Sequence, residues 1–333
     1  MFNQIIFGVI LIILFYKPMK RLTPISNWNI FTKKHIMGDI MRFVSFIKDG
    51  RAGIGCLELN GDTLLDLTQA GLSDNLISVI EMGEQGLDMA REAAQKSQQI
   101  PIQEVRLIAP FPIPRRNIIC VGKNYFEHSK EFEKSGFDST SGGQTIPDAP
   151  VIFTKATTSV TGPNEPIPAS SDPSKSTDYE GELAVVVGKQ GYKIPQYEAL
   201  GYICGYTIIN DVTARNLQQV HKQWFLGKSL NGFCPMGPTF VTADEIRDPT
   251  KLKVTTWVNG ELRQQASVED LIFDIPTIIE TVSSLITVMP GDIIATGTPA
   301  GVGIGFSPPK FLQPGDSVSI EIDPIGVLEN PVI

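Results

Sequence analysis

The stretch DYEGELAVVVG, from Asp178 to Gly188, limits the fold more than any other part of this chain. Val185, Val186 and Val187 mark a core strand, and alternate side chains of a strand share a face, which puts Asp178, Glu180 and Glu182 on one side. Same-face neighbours lie roughly 6.5 to 7 Å apart, so partly buried carboxylates there must either take up protons or surround a cation.

Other strands are expected around this one. From Met41 to Leu67 the segments RFVSFI, GIGCLELN and TLLDL are divided by Asp49-Gly50 and Asn60-Gly61-Asp62, the pattern of antiparallel hairpins. Residues 74–98 have helical periodicity, and Pro101, Pro110, Pro112 and Pro114 then punctuate the chain. Beyond them NIICVG (117–122), VIFTK (151–155), GYTIIND (205–211) and segments near 291–296 and 317–322 read as strands, and KVTTWVNGELRQQ as a hairpin turning at Asn259-Gly260. Helices are expected in YFEHSKEFEKS, in TARNLQQVHK and over 275–287, and a mobile polar loop from Gly136 to Gln144. The fold class is α+β and strand-dominated, with a small β-rich N-terminal domain over 41–112 and a larger domain over 113–333.

Composition narrows the chemistry. The net charge is −8 with no basic run in the body of the chain, which removes the electrostatic footprint of a nucleic-acid binder. Cys56, Cys120, Cys204 and Cys234 form no C-x-x-C pair, which argues for a reducing compartment and against structural zinc. With only His35, His128 and His221 available, a metal here is expected to be oxygen-bound.

Residues 1–40 are foreign to this body: the first 38 contain no Asp or Glu and carry Lys17, Lys20, Arg21, Lys33 and Lys34. The apolar run Ile5 to Tyr16 is short of the ~20 residues of a membrane-spanning helix. A mitochondrial presequence is the expected reading of this leader, with a secretory signal, membrane association or inert upstream sequence as alternatives. Mitochondrial localisation follows as the expectation, with the cytoplasm as the alternative.

Three constellations carry chemistry. Glu180 and Glu182, with Asp211 from the next strand, form a hard-oxygen set suited to Mg²⁺, Mn²⁺ or Ca²⁺; the alternative is a solvated polar face. Asp178, at the strand's edge, reads as solvated or supporting. Asp211 is also expected to cap the following helix and to have Arg215 and Gln218 on its face, or simply to form an Asp–Arg ion pair there. His128 and Glu131, at i and i+3, can act as a base and its orienter on a lid-like helix, or be a plain surface pair. Lys228 lies in the apolar, Gly-flanked FLGKSLNGFCP, where a lysine is costly unless paired or functional. A phosphate loop is ruled out at Gly227-Lys228-Ser229 because position 222 is Lys, and GVGIG (301–305) lacks the dinucleotide spacing, so it reads with Thr296-Gly297-Thr298-Pro299 as backbone shaping a pocket.

From Asn117 onward the motifs IICVGKNYFEHSKE, VIFTKATTSVTGP, DYEGELAVVVGK, NDVTARNLQ, QWFLGKSLNGFCPMGP, VNGELRQ and PGDIIATGTPAGVG, in this order, resemble the fumarylacetoacetate hydrolase family. The segment from Met41 is similar to that of its longer members, in particular the mitochondrial domain-containing proteins of the second type. The resemblance implies a mixed β-sandwich roll, usually a homodimer, with Mg²⁺ or Mn²⁺ held at Glu180, Glu182 and Asp211. It implies catalytic roles for His128, Glu131 and Lys228 and carboxylate binding by Arg215, Gln218 and Thr298. Asn216 departs from the acid common in relatives, with no ligand lost.

The implied substrates are 2-oxo acids and β-dicarbonyls, whose enolates a Lewis-acidic cation stabilises. Oxaloacetate keto-enol tautomerisation is the expected reaction. Hydrolysis of an acylpyruvate or other 1,3-diketo acid and oxaloacetate decarboxylation are alternatives, as is a non-enzymatic, metal-stabilised scaffold.

Overall fold

The computed structural model describes residues 41–58, 61–136 and 146–333. The leader and nearly all of the expected loop from Gly136 to Gln144 lie outside the described residues.

The acidic strand, Gly181–Val187, is central to a twelve-stranded mixed sheet. Ile203–Asn210 and Ile293–Ala295 flank it, both antiparallel. Outward on one side come Cys234–Thr242, Arg42–Lys48, Arg51–Leu57, Thr63–Asp66 and Gln99–Pro101; on the other, Ile118–Gly122 and the outer strand Val151–Lys155. The hairpins expected after Met41 therefore continue the main sheet, joined to it by the register Arg42↔Val241 and Phe43↔Phe240.

Both faces of the acidic strand are covered. Leu183, Val185 and Val187 pack with Val254, Val318 and Ile320 of a four-stranded antiparallel sheet and with Ile278 and Ile279 of the helix Ile275–Leu285. Ala184 and Val186 face the opposite cluster, among Phe43, Phe240, Ile293 and the helical residues Leu76, Val79 and Ala90. A fully buried medium-sized aliphatic side chain stabilises by about 1.5–3 kcal/mol, so this strand is a rigid base for whatever its acidic end carries. The α+β, strand-dominated expectation is met, as a two-sheet sandwich.

Three local readings change. The helix expected over 74–98 is two helices, Leu76–Glu81 and Glu84–Lys96, interrupted where Gly83 takes a positive φ of 59°. Cys234–Thr242 is a central strand that its prolines concealed. Pro235 and Pro238 lack the N–H a central strand donates, and the chain accommodates Pro238 where the pairing with Ile203–Asn210 shifts register, between Ile208↔Gly237 and Tyr206↔Val241. A last strand, Gly326–Pro331, pairs with Ser317–Ile322 and was not foreseen.

Candidate active site and metal centre

The acidic strand does not run unbroken from Asp178. Thr177–Asp178 pairs with Thr213–Ala214 in a small separate sheet, and the main strand starts at Gly181. Asp178 is thereby turned out of the row of acids. It is fully buried and accepts the backbone N–H groups of Tyr179 (2.9 Å), Gly303 (2.6 Å) and Ile304 (3.1 Å) and the Nε–H of Arg215 (2.9 Å). The solvated reading of Asp178 is excluded, and its supporting role is to hold Arg215.

The same bridge delays the following helix, which spans Arg215–His221. Asp211 therefore caps nothing, and the expected Asp211–Arg215 pair does not form: Thr213–Ala214 is spent on tertiary pairing before the helix can begin. Arg215 reaches back instead, its NH2 lying 2.6 Å from Glu180 Oε1. Gln218 stays with it, accepting from Arg215 NH1 at 3.4 Å.

The register Gly181↔Asn210 sets Asp211 beside Glu180, whose carbonyl accepts the Asp211 N–H at 2.8 Å. Carboxylate oxygens of Glu180, Glu182 and Asp211 then lie within 4.8 Å of one another, all buried. The two strand acids differ sharply in environment. Burial pushes the Glu180 carboxyl up, but Lys228, Arg215 and His128 outweigh it and hold it at about 2. Glu182 makes no ion pair with a described residue and accepts only the Gly297 N–H, at 2.8 Å. Burial, then the charges of Asp211 and Glu180, push its carboxyl well above the usual range. Three hard oxygen donors within reach of one ion, one of them in no ion pair with a described residue, are the donor set a divalent cation satisfies.

Lys228 ends the short helix Phe225–Lys228, and its Nζ lies 2.8 Å from Glu180 Oε2 and 2.7 Å from Asp211 Oδ2. Gly227 permits this approach, since a Cβ there would stand 2.6 Å from the Gln218 nitrogen. Burial works against the ammonium, but Asp211 and Glu180 dominate and raise its pKa, so it stays charged.

His128 is buried on the helix Phe126–Lys134, its Nδ1 3.4 Å from Glu131 Oε2. Both Glu131 oxygens lie 3.1 Å from the Gly301 N–H, so GVGIG does serve as backbone shaping the site. Gly305 packs against the same carboxylate: a Cβ there would meet Glu131 Oε1 at 1.7 Å. Trp224 closes one wall, edge-on to Phe132 (5.9 Å) and Phe153 (5.0 Å). Thr298 Oγ1 donates to the Gly181 carbonyl (2.9 Å) and accepts from Gln264 Nε2 (2.7 Å).

One pocket thus collects His128, Glu180, Glu182, Arg215, Gln218, Lys228 and Thr298; Glu131 and Asp211 stand directly behind its wall. Sequence reasoning missed two lysines. Lys123 lines the pocket from a left-handed backbone (φ 56°) and is 2% exposed. Lys155, fully buried, ends the strand VIFTK with its Nζ 2.6 Å from Asp211 Oδ1 and donates to the Val212 carbonyl at 3.0 Å. A charged residue closing a largely apolar strand was the available signal.

A family model described as fumarylacetoacetate (FAA) hydrolase C-terminal matches residues 117–333. The chain is 43% identical to oxaloacetate tautomerase YisK of Bacillus subtilis over 309 residues, 88% of this chain and 100% of that protein. It is 45% identical to the solved structure of a fumarylacetoacetate hydrolase from Exiguobacterium antarcticum (TM-score 0.75, 88% of this chain and 99% of that one). A maleylpyruvate hydrolase from Sphingobium sp. SYK-6, solved with manganese(II) and pyruvate, is 30% identical (TM-score 0.71, 88% and 99%). These relatives are bacterial, from organisms without mitochondria, so the expected mitochondrial address does not stand and the mitochondrial subtype has no support among them. The cytoplasmic alternative remains. Among the described residues no helix is long and apolar enough to cross a membrane.

Proposed function

The chain belongs to the fumarylacetoacetate hydrolase family, and we propose that within it this protein is a divalent-cation-dependent oxaloacetate keto-enol tautomerase. The observation that carries the proposal is the clustering of three buried carboxylates within 4.8 Å at a pocket that also presents His128, Arg215 and Lys228. Similarity over the whole length of a tautomerase, and 88% of this chain, ranks this reaction first.

Glu180, Glu182 and Asp211 would hold the ion, proposed to be Mg²⁺, which supplies Lewis acidity toward a 2-oxo acid when bound. The remaining work belongs to side chains. Arg215, Gln218 and Thr298 are proposed to bind the substrate carboxylate, Arg215 being preorganised by Asp178. Ketonisation removes a proton from the enol oxygen and delivers one to the neighbouring carbon. His128 is the group to carry it: Glu131 faces Nδ1, leaving Nε2 toward the pocket, and Gly301 fixes Glu131 in turn. Lys228, kept charged by its acid neighbours, is proposed to stabilise negative charge developing on oxygen. Trp224, Phe132 and Phe153 keep water from the reacting carbon.

Hydrolysis of an acylpyruvate is the second reading, favoured by the maleylpyruvate hydrolase relative. The test is a side-by-side assay with Mg²⁺: loss of enol-oxaloacetate absorbance against pyruvate release from acylpyruvates and CO₂ release from oxaloacetate. Acceleration of the first alone supports the proposal, and pyruvate or CO₂ release at a comparable rate replaces it. The homodimer and the domain division at residue 112 are part of this proposal, to be read by sedimentation and limited proteolysis.

A further inference from the structure

Each acid of the triad has one oxygen beside a fixed group other than Lys228, whose Nζ lies on the second oxygen of Glu180 and of Asp211. Glu180 Oε1 faces Arg215 NH2 at 2.6 Å, Glu182 Oε2 accepts the Gly297 N–H at 2.8 Å, and Asp211 Oδ1 faces Lys155 Nζ at 2.6 Å. Arg215 and the loop at Gly297 have other work in the site. Lys155 does not line the pocket and is fully buried, with its remaining contact on the Val212 carbonyl at 3.0 Å. The proposed reaction makes no use of it.

An ammonium beside Oδ1 leaves Oδ2 as the pocket-side oxygen of Asp211, where Lys228 Nζ lies 2.7 Å from it. With Glu180 and Glu182 limited in the same way, an ion entering beside Lys228 would meet one oxygen from each acid, two of them shared with the Lys228 ammonium, and not three chelating carboxylates. Small octahedral cations need no more, since they keep several positions for water or substrate; Ca²⁺ takes six to eight oxygens and commonly uses both oxygens of a carboxylate.

We propose that Lys155, by holding Asp211 to one oxygen, makes this centre discriminate against Ca²⁺ in favour of Mg²⁺ or Mn²⁺. It is a positioning residue that acts through Asp211, and the inference rests on the metal centre proposed above. Neither Arg215 nor Gly297 can be tested as cleanly, because Arg215 also lines the pocket and Gly297 donates through its backbone.

The test is calorimetric titration of the metal-stripped full-length chain with Mg²⁺, Mn²⁺ and Ca²⁺, for wild type, Lys155→Met and Lys155→Arg. The expected result is a Mn²⁺-over-Ca²⁺ affinity ratio that falls by about tenfold or more in Lys155→Met, the scale on which partners of metal ligands act, and is retained in Lys155→Arg. A general loss of stability would weaken both ions together and leave the ratio unmoved. Should Lys155→Met not fold, Lys155→Gln gives the same reading. An unchanged ratio in the neutral variant, a wild type with no preference between the ions, or an arginine variant as altered as the methionine one overturns the inference. A wild type that binds no divalent ion overturns the metal centre with it. A ratio that shifts as expected in a protein that fails to accelerate enol decay would sustain the inference and overturn the tautomerase reading.

Discussion

Glu180 and Glu182 stand two residues apart, and replacing each by glutamine should have opposite consequences. The Glu180 carboxyl is held at about 2 against an ordinary 4.5 by Lys228 and Arg215. Its folded value lies below its unfolded one, so its contribution is present above about pH 4.5 and lost as pH falls toward 2; the difference corresponds to about 3 kcal/mol. That matches the 3–5 kcal/mol typical of breaking a buried ion pair from one side. Glu182 has no ion-pair partner among the described residues and is pushed the other way by burial, toward the neutral acid that glutamine imitates in shape and charge. In chelator, Glu182→Gln should therefore melt within about 2 °C of wild type, while Glu180→Gln melts roughly 6 °C or more lower, at about 2 °C per kcal/mol for a body of this size. Adding Mn²⁺ at a hundred times its dissociation constant stabilises wild type by about 2.7 kcal/mol, a rise of about 5 °C that Glu182→Gln should lack. Differential scanning fluorimetry with and without metal reads all of these values. The reasoning is refuted if Glu182→Gln falls as far as Glu180→Gln in chelator, or if it keeps the full metal-dependent rise.

His128→Gln should lower kcat for enol-oxaloacetate by about 10²- to 10⁴-fold, the usual worth of a general acid–base group, with Mn²⁺ affinity by calorimetry unchanged. Gly305→Ala should act on the same dyad from a distance. Its methyl group would displace the Glu131 carboxylate, the flexible end of a side chain, so kcat should drop about 10- to 100-fold while the melting temperature barely moves. Away from the site, burial pushes Glu165 up, but the Thr161 hydroxyl (2.6 Å), the Gly162 N–H (2.8 Å) and Arg106 (2.6 Å) prevail and depress its pKa. The stability this confers is present above its unfolded value and lost as pH falls through the folded one. Glu165→Gln should thus melt lower than wild type at neutral pH and converge with it as acid pH passes below the depressed folded value, followed by circular dichroism across a pH series.

What the sequence made legible was whatever depends on local spacing. Alternation along DYEGELAVVVG brought Glu180 and Glu182 to one place, and the i, i+3 spacing of His128 and Glu131 did the same on a helix. What stayed illegible depends on contacts made across the fold. Thr213–Ala214 looks helical by context and becomes a bridge because Thr177–Asp178 arrives opposite it, which changes both the start of the helix and the partner of Arg215. Lys155 is separated from Asp211 by 56 positions, and only the closing of the sheet reveals the pair. Cys234–Thr242 hid behind its prolines, of which Pro238 falls where the ladder is already irregular. The resemblance of the whole motif series, more than any single motif, pointed to the family, and its mitochondrial subtype, with the leader, gave an address that the bacterial relatives contradict.

The central claim is that one divalent cation at Glu180, Glu182 and Asp211 enables proton transfer at a 2-oxo acid. It is tested most directly by titrating metal-stripped protein with Mn²⁺ while following the decay of enol-oxaloacetate. The account predicts decay at the buffer rate without metal, rising with occupancy and levelling off at one ion per chain. Full activity in excess chelator, or decay at the buffer rate with the centre saturated, would contradict it.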